Sequence, residues 1–585
     1  MENNDSLKQE IAELEALNQK PFPQRLRYYA SKSGPGWLQG AITLGGGSLA
    51  GSLYLGVVMG YNMMWLQPFA MILGVIMLSA ISYVTLSIGK KPFGAIKHHI
   101  SPALAWGWLI ATILANIVWC LPQFALGTAA IQKNLIPALD TDAGKIIIPV
   151  ILFIIGTAVV WSYNSGSKGI KLFELTLKIL VGIVVLSFFG VVAVMSVKGG
   201  LEWGKIFRGL IPDLSLLFSP APSLSGAIEA SGDYSEYWSK TIAEVQRGKI
   251  ITAFATAVGI NMTFLLPYSM LKKGWGKAHR GLAIFDLSLG LIIPFVIATA
   301  CVVIASASQF HGKSEDVFKA VESGKGKSVG SYNKYLDARI AADPSANTEF
   351  DKLQSIANKA TKGSEAEKTA ETQIAAFRSS LPLSDRKLAA MIAERGNLRL
   401  ADTLAPLTGQ TIAQTVFGIG VLGMALSTII MLMLINGFAV CEMFGVAPEG
   451  KMHRVGSLIP GVIGIFGPVI WAGAAAALAT PTSVLGGAML PIAYVSFFLM
   501  MNSRSMLGDA MPTGARRIKW NILMGFATSI ATFASIWGIW NKSFNGIPMG
   551  KIGVGILVVL LFVGISGFLS KERKAKADAQ LIAKN

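Results

Sequence analysis

The sequence predicts an all-α integral membrane protein with about twelve transmembrane helices. Of its 585 residues, 52% are hydrophobic and only 14% are charged, whereas about a quarter of the residues in a soluble domain are charged. Long apolar runs recur along the chain, each near or above the roughly 18–20 residues that span a hydrocarbon core. The runs are 36–60, 65–88, 103–131, 145–164, 170–197, 248–272, 281–308, 407–445, 456–479, 484–502, 518–540 and 551–569.

These runs are expected to be helices, because backbone groups cannot remain unpaired in lipid and a helix pairs them within one segment. A transmembrane β-barrel is excluded, because its strands alternate polar and apolar residues and these runs are continuously apolar. The predicted organisation is a cytoplasmic N-terminal segment at 1–33, helices 1–5 at 34–199, an extracytoplasmic excursion at 200–247, helices 6–7 at 248–308, an extracytoplasmic helical insertion at 309–406, helices 8–10 at 407–502, helices 11–12 at 503–570 and a cytoplasmic tail at 571–585.

The formal net charge of +18 is explained by lysines and arginines in short loops. Such residues concentrate on the cytoplasmic side of membrane proteins. The protein is therefore predicted to span a cytoplasmic (plasma) membrane with both termini in the cytoplasm. The expected partners are the lipid bilayer and a small transported solute or metal ion, without nucleic acid. Loop residues that support this orientation include Lys90, Lys91, Lys272, Lys273, Arg516 and Arg517.

The three cysteines, Cys120, Cys301 and Cys441, all lie inside apolar runs. They show neither metal-ligand spacing nor a disulfide framework, so they are predicted to be small buried residues. No helix carries a combination of His with Glu, Asp or Cys that is typical of catalysis. The sequence therefore predicts neither an enzyme nor a bound cofactor.

The first run is interrupted near its middle by Gly45, Gly46, Gly47 and Ser48. Each glycine costs a helix roughly 1 kcal/mol relative to alanine, which favours a break in the helix at this point. A break inside the membrane is tolerated where it lines a cavity or is covered by protein. The alternative is close helix packing along a smooth glycine face.

A second polar interruption occurs in the sixth run at Asn261, Met262 and Thr263, followed by Pro267. Each polar residue alone fits an ordinary hydrogen bond between helices. Interruptions in corresponding helices of two halves, however, are typical of the central site of a transporter. The spacing of five helices fits two inverted five-helix repeats.

Several short motifs elsewhere in the membrane part occur in a recognisable order. They are Gly34-Pro35-Gly36, Phe285-Asp286, Phe310-His311-Gly312, Ser427-Thr428, Leu490-Pro491 and the segment from Asn502 to Gly508. In kind and order they resemble motifs of the Nramp (natural resistance-associated macrophage protein) family of divalent metal transporters. The resemblance implies a LeuT-type fold with two inverted repeats and two extra C-terminal helices. The excursions at 200–247 and 309–406 are expected to lie outside the resemblance.

The metal-binding motifs of that family are changed in this chain. Where the family has Asp-Pro-Gly-Asn in its first helix, this chain has Gly45-Gly46-Gly47-Ser48 and no carboxylate. Where the family has Met-Pro-His in its sixth helix, this chain has Asn261-Met262-Thr263, so the sulfur is retained only with a shift of one residue. Ile113 and Asn116 occupy the places of acidic residues in the third helix.

The predicted substrate site is therefore an uncharged pocket between the two interruptions, at 45–48 and 261–263. Asn116, Gln123 and Ser483 are expected to add neutral polar groups to it. A bound cation would contact Ser48, Asn261 and Met262. Because the pocket contains no carboxylate, a Gly45→Asp substitution is expected to strengthen the binding of a divalent cation.

Four ionisable residues near helix ends are candidates for coupling transport to protons: Asp286, Glu174, Glu442 and His279. An acid inside a membrane helix suggests a function, but near a helix end it is commonly solvated or paired with a loop lysine. Asp286 has Lys277 and Arg280 nearby in sequence as possible partners.

Three functions fit this pattern. The first, by resemblance, is a secondary transporter of a metal cation that binds weakly or keeps most of its water, as suits magnesium-like ions. It would work by alternating access between broken helices 1 and 6. The second is transport of a small neutral or anionic organic solute on the same fold, since amides, hydroxyls and helix N-termini suit such solutes. The third is a channel or a membrane scaffold that does not transport.

Overall fold

The computed structural model describes residues 2–582, except 164, 256, 325–326, 362–363, 396–400, 402–404, 406–408, 411, 471–485 and 544–546. Within these residues, 10 helices are long and apolar enough to cross a membrane, or up to 12 if each of two bent helix pairs is one span. The predicted all-α membrane fold class is therefore confirmed. Helices of the first half are α1 (Glu2–Asn18), α2 (Phe22–Lys32), α3 (Pro35–Thr43), α4 (Gly46–Met59), α5 (Leu66–Ile88), α6 (Pro102–Ala130), α7 (Asp142–Ser162) and α8 (Gly166–Val197).

The remaining long helices include one spanning element with a π-helical turn, at Ser288–Ile292, between its two α-helical parts. Three cysteines in the spanning helices are buried and free, as expected. The helices are α9 (Ser235–Ala255), α10 (Ile260–Lys272), α11 (Arg280–Leu287), α12 (Ile293–Phe310), α13 (Glu315–Glu322), α14 (Lys327–Ala341), α15 (Asn347–Lys359), α16 (Glu365–Ser380), α17 (Leu383–Ile392), α18 (Phe417–Met443), α19 (Gly450–Gly464), α20 (Leu490–Met501), α21 (Gly514–Trp540) and α22 (Met549–Ile582).

The first spanning element is broken where the glycines predict it. Helices α3 and α4 meet at an angle of 55°, and Leu44 and Gly45 separate them. Gly45 has an extended backbone with φ −128° and ψ −174°. Gly46, Gly47 and Ser48 are not part of the break itself, because they form the first turn of α4.

The sixth spanning element is also interrupted, but earlier than the sequence predicts. Helix α9 ends at Ala255, α10 begins at Ile260, and Gly259 between them has an extended backbone. The predicted break at 261–263 is wrong by a few residues, since these residues form the first turn of α10. The reason is packing: a Cβ on Gly259 would lie 2.3 Å from Cη2 of Trp119, so the chain opens at the one residue without a side chain.

A helical cap, defined here as residues 313–395, covers one end of the membrane bundle. It consists of α13 to α17. Its apolar core packs Leu336 and Leu388 against Trp238 of α9, so α9 extends out of the membrane part into the cap. Helix α9 accordingly begins at 235, inside the excursion predicted at 200–247.

The two ends of the cap are joined by Arg395, which is 1% exposed. Its guanidinium donates to both carboxylate oxygens of Asp316, each at 2.9 Å. It also donates to the carbonyl oxygen of Lys313 at 2.8 Å and to that of Met391 at 3.1 Å. This clasp fixes the end of the cap, including the neighbouring Glu394.

The bundle has two chemically different ends. The basic face contains the loops near residues 18–34, 89–101, 272–280 and 442–450, which contact one another: Lys272 pairs with Glu449 at 3.2 Å, for example. Both chain ends contact this face, because Asn18 donates to the carbonyl of Ala278 at 3.0 Å and Lys571 to that of His98 at 2.6 Å. The cap face, at the opposite end, contains residues 200–234 and the cap.

The Arg395 clasp gives a test of the cap. We expect Asp316→Asn to leave a buried guanidinium without its anion and to destabilise the cap by about 3 kcal/mol. Hydrogen exchange followed by mass spectrometry should show amides of α17 exchanging roughly a hundredfold faster. The control is Asp351→Asn, at an exposed position on α15. Equal exchange in both variants would mean that the clasp does not hold the cap together.

Candidate functional site

The two broken elements contact each other directly at their breaks. The hydroxyl of Thr43, the last residue of α3, donates to the carbonyl oxygen of Ala257 at 2.8 Å. It also lies 3.1 Å from the sulfur of Met262. One turn earlier on α3, Gln39 donates through Nε2 to the carbonyl oxygen of Met262 at 3.3 Å. The end of α3 is therefore joined to the start of α10 by polar side chains.

The start of α4 is held from the side by α6. The backbone N–H of Gly46 donates to Oε1 of Gln123 at 2.9 Å. Within α4, Gly45 N–H donates to Oγ of Ser48 at 3.2 Å, and that hydroxyl donates to the carbonyl of Gly45 at 2.9 Å. Thus two of the amides exposed by the break, those of Gly45 and Gly46, are capped by groups of the protein itself.

The start of α10 is held in the same way by α6. Asn261 donates through Nδ2 to Oδ1 of Asn116 at 3.3 Å, and Trp108 donates through Nε1 to the Thr263 hydroxyl at 2.9 Å. The N–H of Gly259 faces the sulfur of Met262 at 3.4 Å. Helix α6 therefore contributes to the site along three of its turns.

Helix α18 closes the remaining side of the site. The hydroxyl of Ser427 donates to the carbonyl of Ala41 in α3 at 3.0 Å, and Thr428 lies against Gly45. A Cβ on Gly45 would be 2.5 Å from Oγ1 of Thr428. An aspartate at position 45 would therefore require the Thr428 side chain to shift, so Gly45→Asp would disturb the packing of the site as well as add a carboxylate.

The residues between the two breaks, which form the candidate pocket, are buried and uncharged. Asn116, Asn261 and Thr263 are 0% exposed and Met262 is 2% exposed. In the part of the chain that the structure describes, no group of three or more His, Cys, Asp or Glu side chains could hold a metal ion. Three polar atoms of the site, Oε1 of Gln39, Oδ1 of Asn261 and Nδ2 of Asn116, have no hydrogen-bond partner among the described residues. Buried polar atoms normally have partners, so these three atoms are available to a substrate.

The structure brings most of the predicted site residues together, namely Gly45, Gly46, Ser48, Asn116, Gln123 and 261–263. Gly47 lies in the same turn of α4, and Ser483 lies outside the described residues. Sequence reasoning missed Gln39, Thr43, Trp108 and Thr428. Gln39 and Thr43 are four residues apart in an apolar run and therefore on one helix face, a signal that was available in the sequence.

The comparison with protein families decides the identity of the fold. The family described as natural resistance-associated macrophage protein-like, Nramp, matches residues 36–326 and 389–541.

The chain belongs to the Nramp family.

The match includes the excursion at 200–247, which was expected to lie outside the resemblance; that expectation is wrong. Of the insertion, only 327–388 are left out. A search of curated proteins found no match.

Solved structures show the same Nramp architecture. Two mutants of the manganese transporter from Eremococcus coleocola are 14% identical to this chain, with TM-scores of 0.61 and 0.62, and the match covers 95% of this chain and 97% of theirs. The same transporter in complex with an aromatic bis-isothiourea substituted compound has a TM-score of 0.60 at 14% identity, covering 94% and 96%. At this identity the likeness concerns the fold, and it confirms the predicted fold class.

The coupling candidates of this Nramp chain lie at the basic face. Asp286 is 1% exposed and accepts hydrogen bonds from the backbone N–H groups of Gly34 at 2.9 Å and Gly36 at 2.6 Å. The expected pairing with Lys277 or Arg280 is wrong, because the free amides at the start of α3 provide a closer partner. Asp286 therefore caps the N-terminus of α3, where a negative charge is favoured.

The other three candidates also have local partners. Glu174 lies 3.2 Å from Lys273, and Glu442 lies 2.7 Å from Lys91. His279 accepts from the N–H of Gly276 at 3.2 Å and stacks on Trp275. The two glutamates thus have the pairing with loop lysines that the sequence suggested.

Proposed function

We propose that this chain is a secondary transporter that carries a divalent metal cation through the pocket between the two breaks by alternating access. Family membership supports a transporter, and the likeness in fold to the manganese transporter from Eremococcus coleocola supports manganese-like cargo. The observation that carries the proposal is the polarity of the pocket: two of its three unpaired polar atoms are oxygen acceptors, while the N–H groups of Gly45, Gly46 and Gly259 are already capped.

The capping argues against an anionic solute. Helix N-termini bind anions through free N–H groups, but here the N–H groups of Gly45, Gly46 and Gly259 face Ser48, Gln123 and the sulfur of Met262. Three polar atoms are left over: the oxygens of Gln39 and Asn261, which are acceptors, and the Nδ2 donor of Asn116. Such oxygens bind a cation, or accept hydrogen bonds from water bound to it.

The absence of a carboxylate from these donors favours a cation that keeps part of its water. Mg²⁺ gives up its water reluctantly and usually retains several molecules, so neutral oxygens that contact its hydration shell suffice. The Met262 sulfur adds a soft donor that suits Mn²⁺ better than Mg²⁺. We therefore infer broad selectivity for divalent cations with low affinity.

We infer that the basic face lies in the cytoplasm, because lysine and arginine concentrate in cytoplasmic loops. The cap then lies on the extracytoplasmic side of a cytoplasmic membrane, and both termini lie on its cytoplasmic side. With its pocket side chains buried from both faces, the conformation described here corresponds to a closed intermediate of the transport cycle. Coupling to protons would use Asp286, Glu174, Glu442 or His279.

Uptake into proteoliposomes tests the proposal. We expect saturable uptake of Mn²⁺ and Mg²⁺ with a KM of about 0.1 mM or weaker, because the site has no formal charge. Na⁺, K⁺ and small organic solutes serve as controls. Saturable flux of an organic solute without divalent flux would show that the fold serves the other substrate class, and no flux of any solute would support a scaffold.

A carboxylate placed in the pocket should strengthen binding. Asn261→Asp is nearly isosteric, and we expect it to lower the KM for Mn²⁺ roughly tenfold through one added charge near the cation. The matched control is Asn134→Asp, at a buried asparagine just after α6 whose Nδ2 donates to Gln414 at 2.6 Å, away from the pocket. Equal KM values for the two variants would show that the cation binds elsewhere.

A further inference from the structure

Two tyrosines occupy matching positions after the two breaks. Tyr54 is the ninth residue after Gly45, which immediately precedes α4. Tyr268 is the ninth residue after Gly259, which immediately precedes α10. At 1.5 Å per residue, each lies about 13 Å from the pocket along its helix. Helix α4 runs towards the cap face and α10 towards the basic face, so the tyrosines lie on opposite sides of the pocket. Both are buried.

On the cap side, a lysine covers the tyrosine ring and pairs with a glutamate. The Nζ of Lys249, in α9, is 4.1 Å from the ring centroid of Tyr54. The same ammonium group forms an ion pair with Glu394 at the end of the cap. The Lys249 side chain is only 9% exposed and that of Glu394 is 27% exposed, so the ammonium group is largely shielded from water. The Lys249–Glu394 pair joins α4, α9 and the cap on the cap side of the pocket.

On the basic side, the same three types of side chain recur. The Nζ of Lys91, in the loop after α5, is 6.0 Å from the ring centroid of Tyr268 and 2.7 Å from Oε1 of Glu442 at the end of α18. The ring stacks on Phe264 at 4.5 Å between centroids and on Phe438 at 5.7 Å. Here the pair joins α10, α18 and the loop after α5.

The recurrence is informative because the two lysines and two glutamates come from unrelated elements. Each lysine places a cation between an aromatic face and a carboxylate, an arrangement in which both contacts are favourable. A divalent cation that approaches this carboxylate must displace the ammonium group, since the two positive charges repel each other. Lysine has a flexible stem and can leave the carboxylate while its backbone stays in place.

We propose that the two Tyr–Lys–Glu clusters are the gates of the pocket, and that Glu394 and Glu442 are outlying binding sites for the divalent cation, each closed by its lysine. This inference rests on the proposed function for the identity of the cation. It also gives the cap a role: the Arg395 clasp positions Glu394, so the insertion supplies the carboxylate of one gate.

Accessibility of the pocket tests the gates without reference to any substrate. Ser48→Cys places a thiol in the pocket, while the three native cysteines are buried. In detergent-solubilised full-length protein, we expect Lys249→Gln or Lys91→Gln to raise the labelling rate of Cys at position 48 roughly tenfold, because a closing interaction is lost. The control is Lys240→Gln, in an exposed pair with Glu236 on the same helix as Lys249. A labelling rate equal to that of the control would overturn the gates, whatever the substrate.

Transport kinetics test the outlying cation sites. Lys249→Gln frees the carboxylate of Glu394 and should lower the KM for Mn²⁺ from the cap side by roughly three- to tenfold. Glu394→Gln leaves the lysine unpaired and should raise KM by a similar factor, and the double variant should return towards the parent value. A purely structural pair would lower the maximal rate in both single variants without opposite shifts in KM, and that result would overturn the cation sites.

If the parent protein carries no divalent cation, the proposed function fails, and the labelling experiment decides the gates alone.

Discussion

The structure depends on one constraint: two helices are broken inside the membrane, and their opened backbones must find partners there. Unpaired backbone groups in lipid cost several kcal/mol each. Thr43 meets this need across the breaks, because its hydroxyl donates to the carbonyl of Ala257. Gln123 meets it at the start of α4 by accepting from Gly46. The breaks are thus mutually stabilised, and the proposed substrate site lies between them.

The same constraint explains why the pocket is neutral yet polar. The groups that cap the breaks are amides, hydroxyls and a thioether, which pair backbone groups without bringing a charge into the membrane. The oxygens of Gln39 and Asn261 are left without partners among the described residues. Among the formal charges that lie farther out are those of the Lys249–Glu394 and Lys91–Glu442 pairs. A cation would therefore meet carboxylates at the gates and neutral donors at the centre.

The sequence was sufficient to predict the membrane fold, the family and the first break, because apolar run length and consecutive glycines have direct physical consequences. It placed the second break at 261–263, whereas the chain opens at Gly259, because the decisive factor is the close approach of Trp119, a residue distant in sequence. Thr428 was missed for the same reason: a single hydroxyl in an apolar run gives no sign of what it contacts. The partner of Asp286 was also unpredictable, since it is the backbone of Gly34 and Gly36 and not a side chain.

The most direct measurement of the central claim is anomalous diffraction at the manganese edge from crystals of the full chain grown with saturating Mn²⁺. The neutral pocket predicts an anomalous peak between the two breaks, within contact distance, directly or through water, of the Asn261 amide and the Met262 sulfur. A peak only at Glu394 or Glu442, or none in the pocket at a Mn²⁺ concentration that saturates transport, would contradict it.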